Sequence, residues 1–319
     1  MNNTCNVKQG KCKLLSGTLF TIARFCGIRN IQLEKKYNRR AGRYSSALQP
    51  LPGCTFMRAQ CAAPAWFGII MAALVLFSSP AHAISGREAY EKAREVHIRG
   101  LTHRAQLTMS LYDRGGGKRT RSFVLHNKKG AEREAYKTLI VFMTPADLKN
   151  VGFLIQARTF AVRDMWAYFP DYKRIRRIPA TSQDDSFFGS DFSYDDFGGP
   201  PNLDDYKFEI LREEVVDGLP CYVVEVTPKI QRKFTRFISW MAKDLWIPVK
   251  IEFYEETELY RIALFQDIKI IDDIPTPFTW KMENKKNKHR TDLLIENIEY
   301  NPVIPDDLFT QRSLERGGK

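Results

Sequence analysis

Cysteine is almost absent from the larger part of this 319-residue chain. Five of its six cysteines lie at or before Cys61, and Cys221 is the only one beyond that point. A single cysteine excludes an intramolecular disulfide there, and a chain of this length can bury a sufficient core without one. Cys221 belongs to an apolar stretch patterned like a strand, so we expect a buried structural thiol rather than a reactive one.

Apolar runs long enough to cross a membrane are also lacking. The charge-free apolar run 65–77 has 13 residues, whereas a spanning helix needs about 20. Met57-Arg58 precedes the run, and Ala81-His82-Ala83 follows it with small residues where a signal peptidase requires them. We therefore predict a signal peptide over 57–83, cleaved between Ala83 and Ile84, with a membrane anchor as the weaker alternative. No cysteine stands at the cleavage point, which argues against lipidation.

Acidic residues are nearly missing from the first 83 positions, which hold 11 Lys and Arg but only Glu34 on the acidic side. The formal charge of +12 therefore falls to +2 after cleavage, and the indication of nucleic-acid binding disappears with it. Residues 1–56 show no periodicity. Either the start codon is assigned too far upstream or the chain has a cytoplasmic extension. We predict one domain over 84–319.

Catalytic and metal-binding motifs are likewise lacking. The five histidines form no HExxH and no paired ligand spacing, and no GxSxG occurs. We predict no catalytic residue, no metal, no cofactor and no enzyme activity. Paired carboxylates or a Ca²⁺ site remain the alternative for the acidic cluster Asp184, Asp185, Asp191, Asp195 and Asp196, although helix capping and turn formation explain such residues more simply.

What the chain does contain, from Ile84 onward, is one helix and many strands. Ser85 and Glu88 form a capping box that opens a helix over 85–99. Alternation with period two then predicts about ten or eleven strands with short connections, hence an antiparallel sheet. One helix is too small to cover the apolar face of such a sheet. We therefore predict a mainly β fold, a curled half-open barrel around an apolar pocket, with short lid helices or loops.

Three motifs in the second half of the chain resemble a known family. They are Trp166-x-Tyr168-x-Pro170 with Arg174-Ile175 after it, the run from Phe187 through Gly189-Ser190-Asp191-Phe192-Ser193-Tyr194 to Asp196, and Ile304-Pro305-Asp306-Asp307-Leu308-Phe309. With them the sequence is similar to the periplasmic outer-membrane lipoprotein-sorting proteins of the LolA/LolB-like superfamily, in the branch associated with RND-type exporters. The resemblance covers about 101–310. It implies a half-open β-barrel whose cavity receives acyl chains, and transport rather than catalysis.

The resemblance and the aromatic pattern together yield candidate site residues. The residues expected to bind the acyl chain are Leu107, Met109, Leu111, Trp166, Tyr168, Phe187, Phe188, Phe192 and Tyr194. The aromatic loop is either a lid over the cavity or ordinary core filling. Arg174, Arg176 and Arg177 either contact lipid headgroups or an acidic partner, or simply protect the edge of a sheet.

The function predicted from the sequence is a periplasmic carrier. It would bind acyl chains of lipoproteins or lipids, make transient membrane contact, and move its cargo towards the outer membrane. The alternative is a periplasmic lipid or lipoprotein sensor that acts with a membrane partner such as an RND-type exporter.

Overall fold

The computed structural model describes residues 84–318, so the predicted signal peptide and cleavage site at Ala83 lie outside the described residues. Within that range two α-helices and thirteen strands are present. The helices are α1 (Gly86–Arg99) and α2 (Gln311–Glu315). The strands are β1 (His103–Tyr112), β2 (Lys118–Lys129), β3 (Tyr136–Thr144), β4 (Gly152–Ala157), β5 (Arg163–Phe169), β6 (Arg174–Ile178), β7 (Tyr206–Val216), β8 (Leu219–Pro228), β9 (Arg236–Ala242), β10 (Pro248–Glu255), β11 (Glu258–Ile271), β12 (Ile274–Asn284) and β13 (His289–Tyr300).

All thirteen strands form one antiparallel sheet in the order β6-β5-β4-β3-β2-β1-β13-β12-β11-β10-β9-β8-β7. The predicted mainly β fold is confirmed, and the sheet stays open because β6 and β7 are not paired with each other. The expected count of ten or eleven strands was too low. One reason is β6, whose sequence Arg-Ile-Arg-Arg-Ile carries too much charge to signal a strand, although charge is typical of a sheet edge.

The inner face of the sheet holds the main hydrophobic core. On β1 the side chains of Leu107, Met109 and Leu111 are buried, and the residues between them are more exposed, which is the period-two pattern of a half-buried strand. Helix α1 packs on the same face, where the rings of Tyr90 and Phe208 lie 4.8 Å apart. The predicted capping box starts this helix: Ser85 Oγ accepts from the Glu88 N–H at 3.2 Å.

The outer face of β3, β4 and β5 is covered by the C-terminal segment. Phe309 and Leu314 pack there against Leu139, Leu154 and Tyr168. Polar contacts fix the segment: the Gln156 side chain donates to the Phe309 carbonyl at 2.7 Å, and Lys137 and Lys128 both pair with Asp306. The Ile304–Phe309 motif therefore closes the outer surface, away from the inner face of the sheet.

Cys221 is fully buried in a second outer cluster with Val223 and Trp240. Burial raises the pKa of its thiol, which keeps the sulfur protonated and unreactive, as the strand pattern predicted. Among residues 84–318 no helix is long and apolar enough to cross a membrane. The same residues contain no group of three or more His, Cys, Asp or Glu side chains placed to hold a metal ion.

Three histidines lie where the end of α1 meets β1 and β2, and each has a lowered pKa. Burial lowers the pKa of His97 to about 4, with a smaller contribution from the nearby His103. Burial also lowers the pKa of His103 and of His126. In the unfolded chain each would titrate near 6.5.

Acid should therefore begin to destabilise the fold at a pH above the range in which ordinary carboxylates titrate. Between pH 6.5 and about 4 these histidines are protonated in the unfolded chain but stay neutral in the folded protein. The free energy of unfolding therefore falls as the pH is lowered through this window. His97 alone would contribute at most about 3 kcal/mol of this loss. We expect the urea midpoint to drop from pH 7 to pH 5, and to drop less in His97→Gln. An equal drop in both proteins would contradict the assignment.

Candidate functional site

Residues 179–205, which we call the plug segment, connect the edge strand β6 to the edge strand β7. The segment contains only short 3₁₀ turns and one isolated bridge between Ser186 and Ser193. Three of its rings, Phe187, Phe192 and Phe197, are 0%, 2% and 8% exposed and belong to the main core. The inner face of the sheet is therefore covered by α1 and by this irregular segment.

Aromatic contacts bind the plug segment to the strands. Phe187 lies at the centre, with ring centroids 4.3 Å from Phe197 and 5.4 Å from Phe153 on β4. Phe197 also packs against Phe123 on β2 at 6.4 Å. Such tilted and edge-to-face pairs are the arrangements that aromatic rings prefer. The segment thus fills the apolar space on the inner face of the sheet.

The tip of the plug segment is a tight hairpin turn over 187–190. The Phe187 N–H donates to the Phe192 carbonyl at 2.7 Å, and the Ser190 N–H donates to the Phe187 carbonyl at 3.0 Å. The two central residues, Phe188 and Gly189, both have positive φ, as a type I′ turn requires. Glycine adopts this conformation freely, whereas a phenylalanine there is strained. Phe188 is half-buried and Gly189 is exposed at the apex.

A buried ionic cluster anchors both ends of the tip. The Arg232 guanidinium bonds Asp184 at 2.5 Å and Asp195 at 2.6 Å. Asp195 also pairs with Arg163 of β5 at 2.5 Å. The four side chains are between 10% and 18% exposed. They join β5 on one side of the open sheet to the β8–β9 connection on the other, so the anchor closes the gap that hydrogen bonding between β6 and β7 leaves open.

Opposite charges keep this cluster ionised despite burial. Burial alone would raise the pKa of Asp195, but the charges of Arg163 and Arg232 outweigh it and hold that pKa below its ordinary value. Burial likewise opposes the charge on Arg232, and its hydrogen bonds to Asp184 and the charge of Asp195 raise its pKa nonetheless. The anchor is therefore a permanently charged assembly at neutral pH.

Further polar contacts hold the tip to the far half of the sheet. Arg261 of β11 makes a bidentate pair with Asp196, with N···O distances of 2.9 Å and 3.3 Å. Asp191 accepts from the Thr291 hydroxyl at 2.7 Å and bonds His289 Nδ1 at 2.8 Å. Side chains from β5, β11 and β13 thus all contact the plug segment, because the sheet curls around it.

Most of the predicted ligand residues lie together at this site. Leu107, Met109 and Leu111 line the inner face, and four residues of the plug segment pack on the same core: Phe187, Phe188, Phe192 and Tyr194. Trp166 and Tyr168 do not join them. Alternation along β5 turns Met165 and Ala167 inward, so Trp166 and Tyr168 lie on the outer face beneath the C-terminal segment. Their placement as cavity residues is corrected accordingly.

The three arginines singled out in the sequence lie on β6, at the edge of the sheet. All three are exposed, and alternation places Arg174 and Arg176 on one face and Arg177 on the other. Arg177 pairs with Asp164 of the neighbouring strand. This arrangement protects an unpaired edge; contact with a headgroup or an acidic partner stays a prediction.

A cleft of about 620 Å³ reaches the anchor cluster from the surface. It opens between the β4–β5 turn, the start of the plug segment and the β8–β9 connection. Both signs of charge line it, together with exposed apolar side chains such as Val162 and Ile230. Solvent therefore has access to one side of the anchor, although the aromatic rings behind it are sealed.

Sequence reasoning missed the cationic partners of the plug segment. The five aspartates of the acidic cluster were recognised, but Arg163, Arg232 and Arg261 were not assigned to them. One signal existed: Arg261 shares its face of β11 with Ala263, so a charged side chain at a core-facing position required a buried partner. Nothing local identifies Arg232, which lies 37 residues from Asp195.

The site is thus an open antiparallel sheet whose inner face is filled by the plug segment and one helix. A family model described as "Uncharacterized protein" matches residues 134–316. This is more than half of the chain, and the chain belongs to that family. No curated protein matches the chain.

Solved structures support the LolA-like fold. A DUF1329 family protein from Desulfovibrio piger is 28% identical with a TM-score of 0.67, over 73% of this chain and 100% of its own. A domain named as an outer membrane lipoprotein-sorting protein from Vibrio parahaemolyticus is 26% identical with a TM-score of 0.67, over 72% and 98%. A LolA superfamily protein from Nitrosomonas europaea, 20% identical over 72% and 100%, shares the fold with a TM-score of 0.56. The expected LolA-like fold is confirmed, whereas the branch associated with RND-type exporters stays a prediction.

Removing the charge of Asp195 should test the anchor. In Asp195→Asn the buried guanidinium of Arg163 loses its partner and Arg232 keeps only Asp184, so we expect a loss of about 3 kcal/mol in the free energy of unfolding. Asp185→Asn is the matched control, because Asp185 pairs with Lys233 at the exposed surface and should barely move the urea midpoint. Equal midpoints for the two variants would contradict the anchor role.

Proposed function

We propose that this protein carries the acyl chains of lipoproteins or lipids on the inner face of its sheet. The observation that supports the proposal most directly is the covering of that face. An aromatic segment with almost no regular structure lies where a second sheet or a set of helices would otherwise complete the core. The relative from Vibrio parahaemolyticus is named for lipoprotein sorting, which agrees with an acyl-chain ligand.

The plug segment and the acyl chain would exchange places. Each CH₂ group of an acyl chain costs about 0.8 kcal/mol in water, so a carrier must offer an apolar surface. Phe187, Phe192 and Phe197 already cover such a surface in the free protein. Their displacement uncovers about as much apolar area as the incoming chain covers, so binding stays reversible and the cargo can be released.

The cellular route follows from the predicted signal peptide and from the named relative. We propose that the protein works in the periplasm and moves its cargo towards the outer membrane. Arg174, Arg176 and Arg177 on the exposed edge strand are available to lipid headgroups or to a membrane partner, for which an RND-type exporter is the candidate. Nothing in the proposed exchange requires a catalytic group.

The decisive experiment is native mass spectrometry of the full chain purified without detergent from a Gram-negative periplasmic fraction, combined with lipid extraction. We expect a co-purifying amphiphile whose mass identifies the cargo. A clean apo mass, together with no uptake of added fatty acid or lipopeptide, would overturn the carrier proposal and favour a sensor acting with a membrane partner.

Truncating one ring of the plug segment should separate a lid from ordinary core filling. Phe192→Ala and Phe309→Ala each remove a ring that is at most 2% exposed, one from the plug segment and one from the outer cluster. Both should lose about 3–5 kcal/mol of stability. Only Phe192→Ala should bind a fluorescent fatty acid more tightly, by about tenfold, because the competing ring is gone.

Lost stability in Phe192→Ala with an unchanged fatty-acid affinity would contradict the exchange. In that case the aromatic residues of the plug segment are core filling, and the acyl chain, if one binds, lies elsewhere.

A further inference from the structure

The two ends of the sheet carry opposite charge. Turns of an antiparallel sheet alternate between its ends, so the strand order assigns most turns to one of them. The turns 113–117, 145–151, 170–173, 256–257 and 285–288 lie at one end, and they hold six Lys and Arg against four Asp and Glu. The turns 130–135, 217–218, 243–247 and 272–273 lie at the other, with two against six. The turns 158–162 and 229–235 line the same cleft and are assigned to neither end. We call these the basic end and the acidic end.

Several cations of the basic end are free to meet a partner. Lys285 and Lys286 pair with carboxylates on the adjoining strand ends. Four others are exposed and make no ion pair within residues 84–318: Arg114, Lys149, Lys173 and Lys288. They come from four different turns between β6 and β12 in the strand order, so the free charge is spread over this part of the end and is not confined to one loop.

The tip of the plug segment is held at this same end. Arg121, four residues into β2, donates to the Phe188 carbonyl at 2.6 Å. Thr291 at the start of β13 and Arg261 near the start of β11 hold Asp191 and Asp196. Two large apolar side chains are exposed close by, Met143 at 47% and Tyr172 at 76%. The aromatic tip thus lies among the basic turns.

We propose that the basic end docks on an anionic lipid surface, with the tip of the plug segment directed at the lipid. This inference rests on the proposed carrier function and names the surface on which cargo is exchanged. Lys and Arg side chains are attracted to anionic headgroups within a Debye length of about 8–10 Å, and the acidic end is repelled. The molecule is therefore oriented, and an acyl chain leaving the bilayer meets the displaceable rings first.

Vesicle sedimentation tests this orientation. The full chain is mixed with vesicles of phosphatidylcholine alone, or of phosphatidylcholine with phosphatidylglycerol, at about 0.1 M and about 1 M salt. The test variant combines Arg114→Glu, Lys149→Glu and Lys288→Glu. The control combines Arg99→Glu, Lys129→Glu and Arg158→Glu, which are exposed, unpaired and away from the basic end. Both triples change the net charge equally.

We expect the unchanged protein to sediment with the anionic vesicles at low salt and to be released at high salt. The basic-end triple should lose at least about tenfold in vesicle affinity, and the control less than about threefold. Equal losses in the two triples would overturn the oriented docking, as would binding to neutral vesicles as strong as to anionic ones. Equal losses would indicate an interaction that depends only on net charge, and equal binding to neutral vesicles would indicate an apolar interaction.

Lipid content, measured by native mass spectrometry on the same proteins, separates this inference from the carrier function. If the unchanged protein holds an amphiphile but ignores anionic vesicles, docking on lipid is wrong and delivery requires a protein receptor, while the carrier function stands. If it holds no amphiphile and binds no vesicle, both are wrong. A basic-end triple that keeps its amphiphile and loses vesicle binding supports the docking independently.

Discussion

The architecture depends on how one open sheet keeps its inner face out of water. Thirteen strands in sequence create a large apolar surface, and neither α1 nor closure of the sheet covers all of it. Burial of Phe187, Phe192 and Phe197 covers the remainder. The ionic anchor, the capped helix and the curl of the sheet all serve this burial, because each brings a part of the chain onto the same inner face.

Burial of the aromatic rings and the buried charges have different roles. Apolar contact is non-directional and tolerates another apolar occupant. The pairs of Asp195 with Arg163 and of Asp196 with Arg261 are directional and require their own partners. Charge therefore fixes the position of the plug segment on the sheet, whereas only the rings between the anchors would be replaced in the proposed exchange. A purely apolar segment would cover the sheet equally well but would have no defined position on it.

Local pattern was enough to predict the class of fold, the first helix and most strands. The capping box at Ser85 and the alternation along β1 are signals carried by neighbouring residues, and both were read correctly. The outward placement of Trp166 and Tyr168 was not predicted, because alternation with period two defines two faces of a strand without identifying the inner one. Arg163 and Arg232 escaped notice for a related reason: their partners are close only after the sheet has curled, and no short-range pattern encodes such a distance.

The plug segment is continuous with an edge strand at each end, β6 on one side and β7 on the other. In the proposed exchange it is therefore a competitor that never diffuses away. A tethered competitor acts at an effective concentration that is commonly of order mM, so every acyl chain would bind against the same internal competition. The apparent affinity would be lowered by one common factor for all acyl chains, and the rings would cover the inner face again whenever a chain leaves.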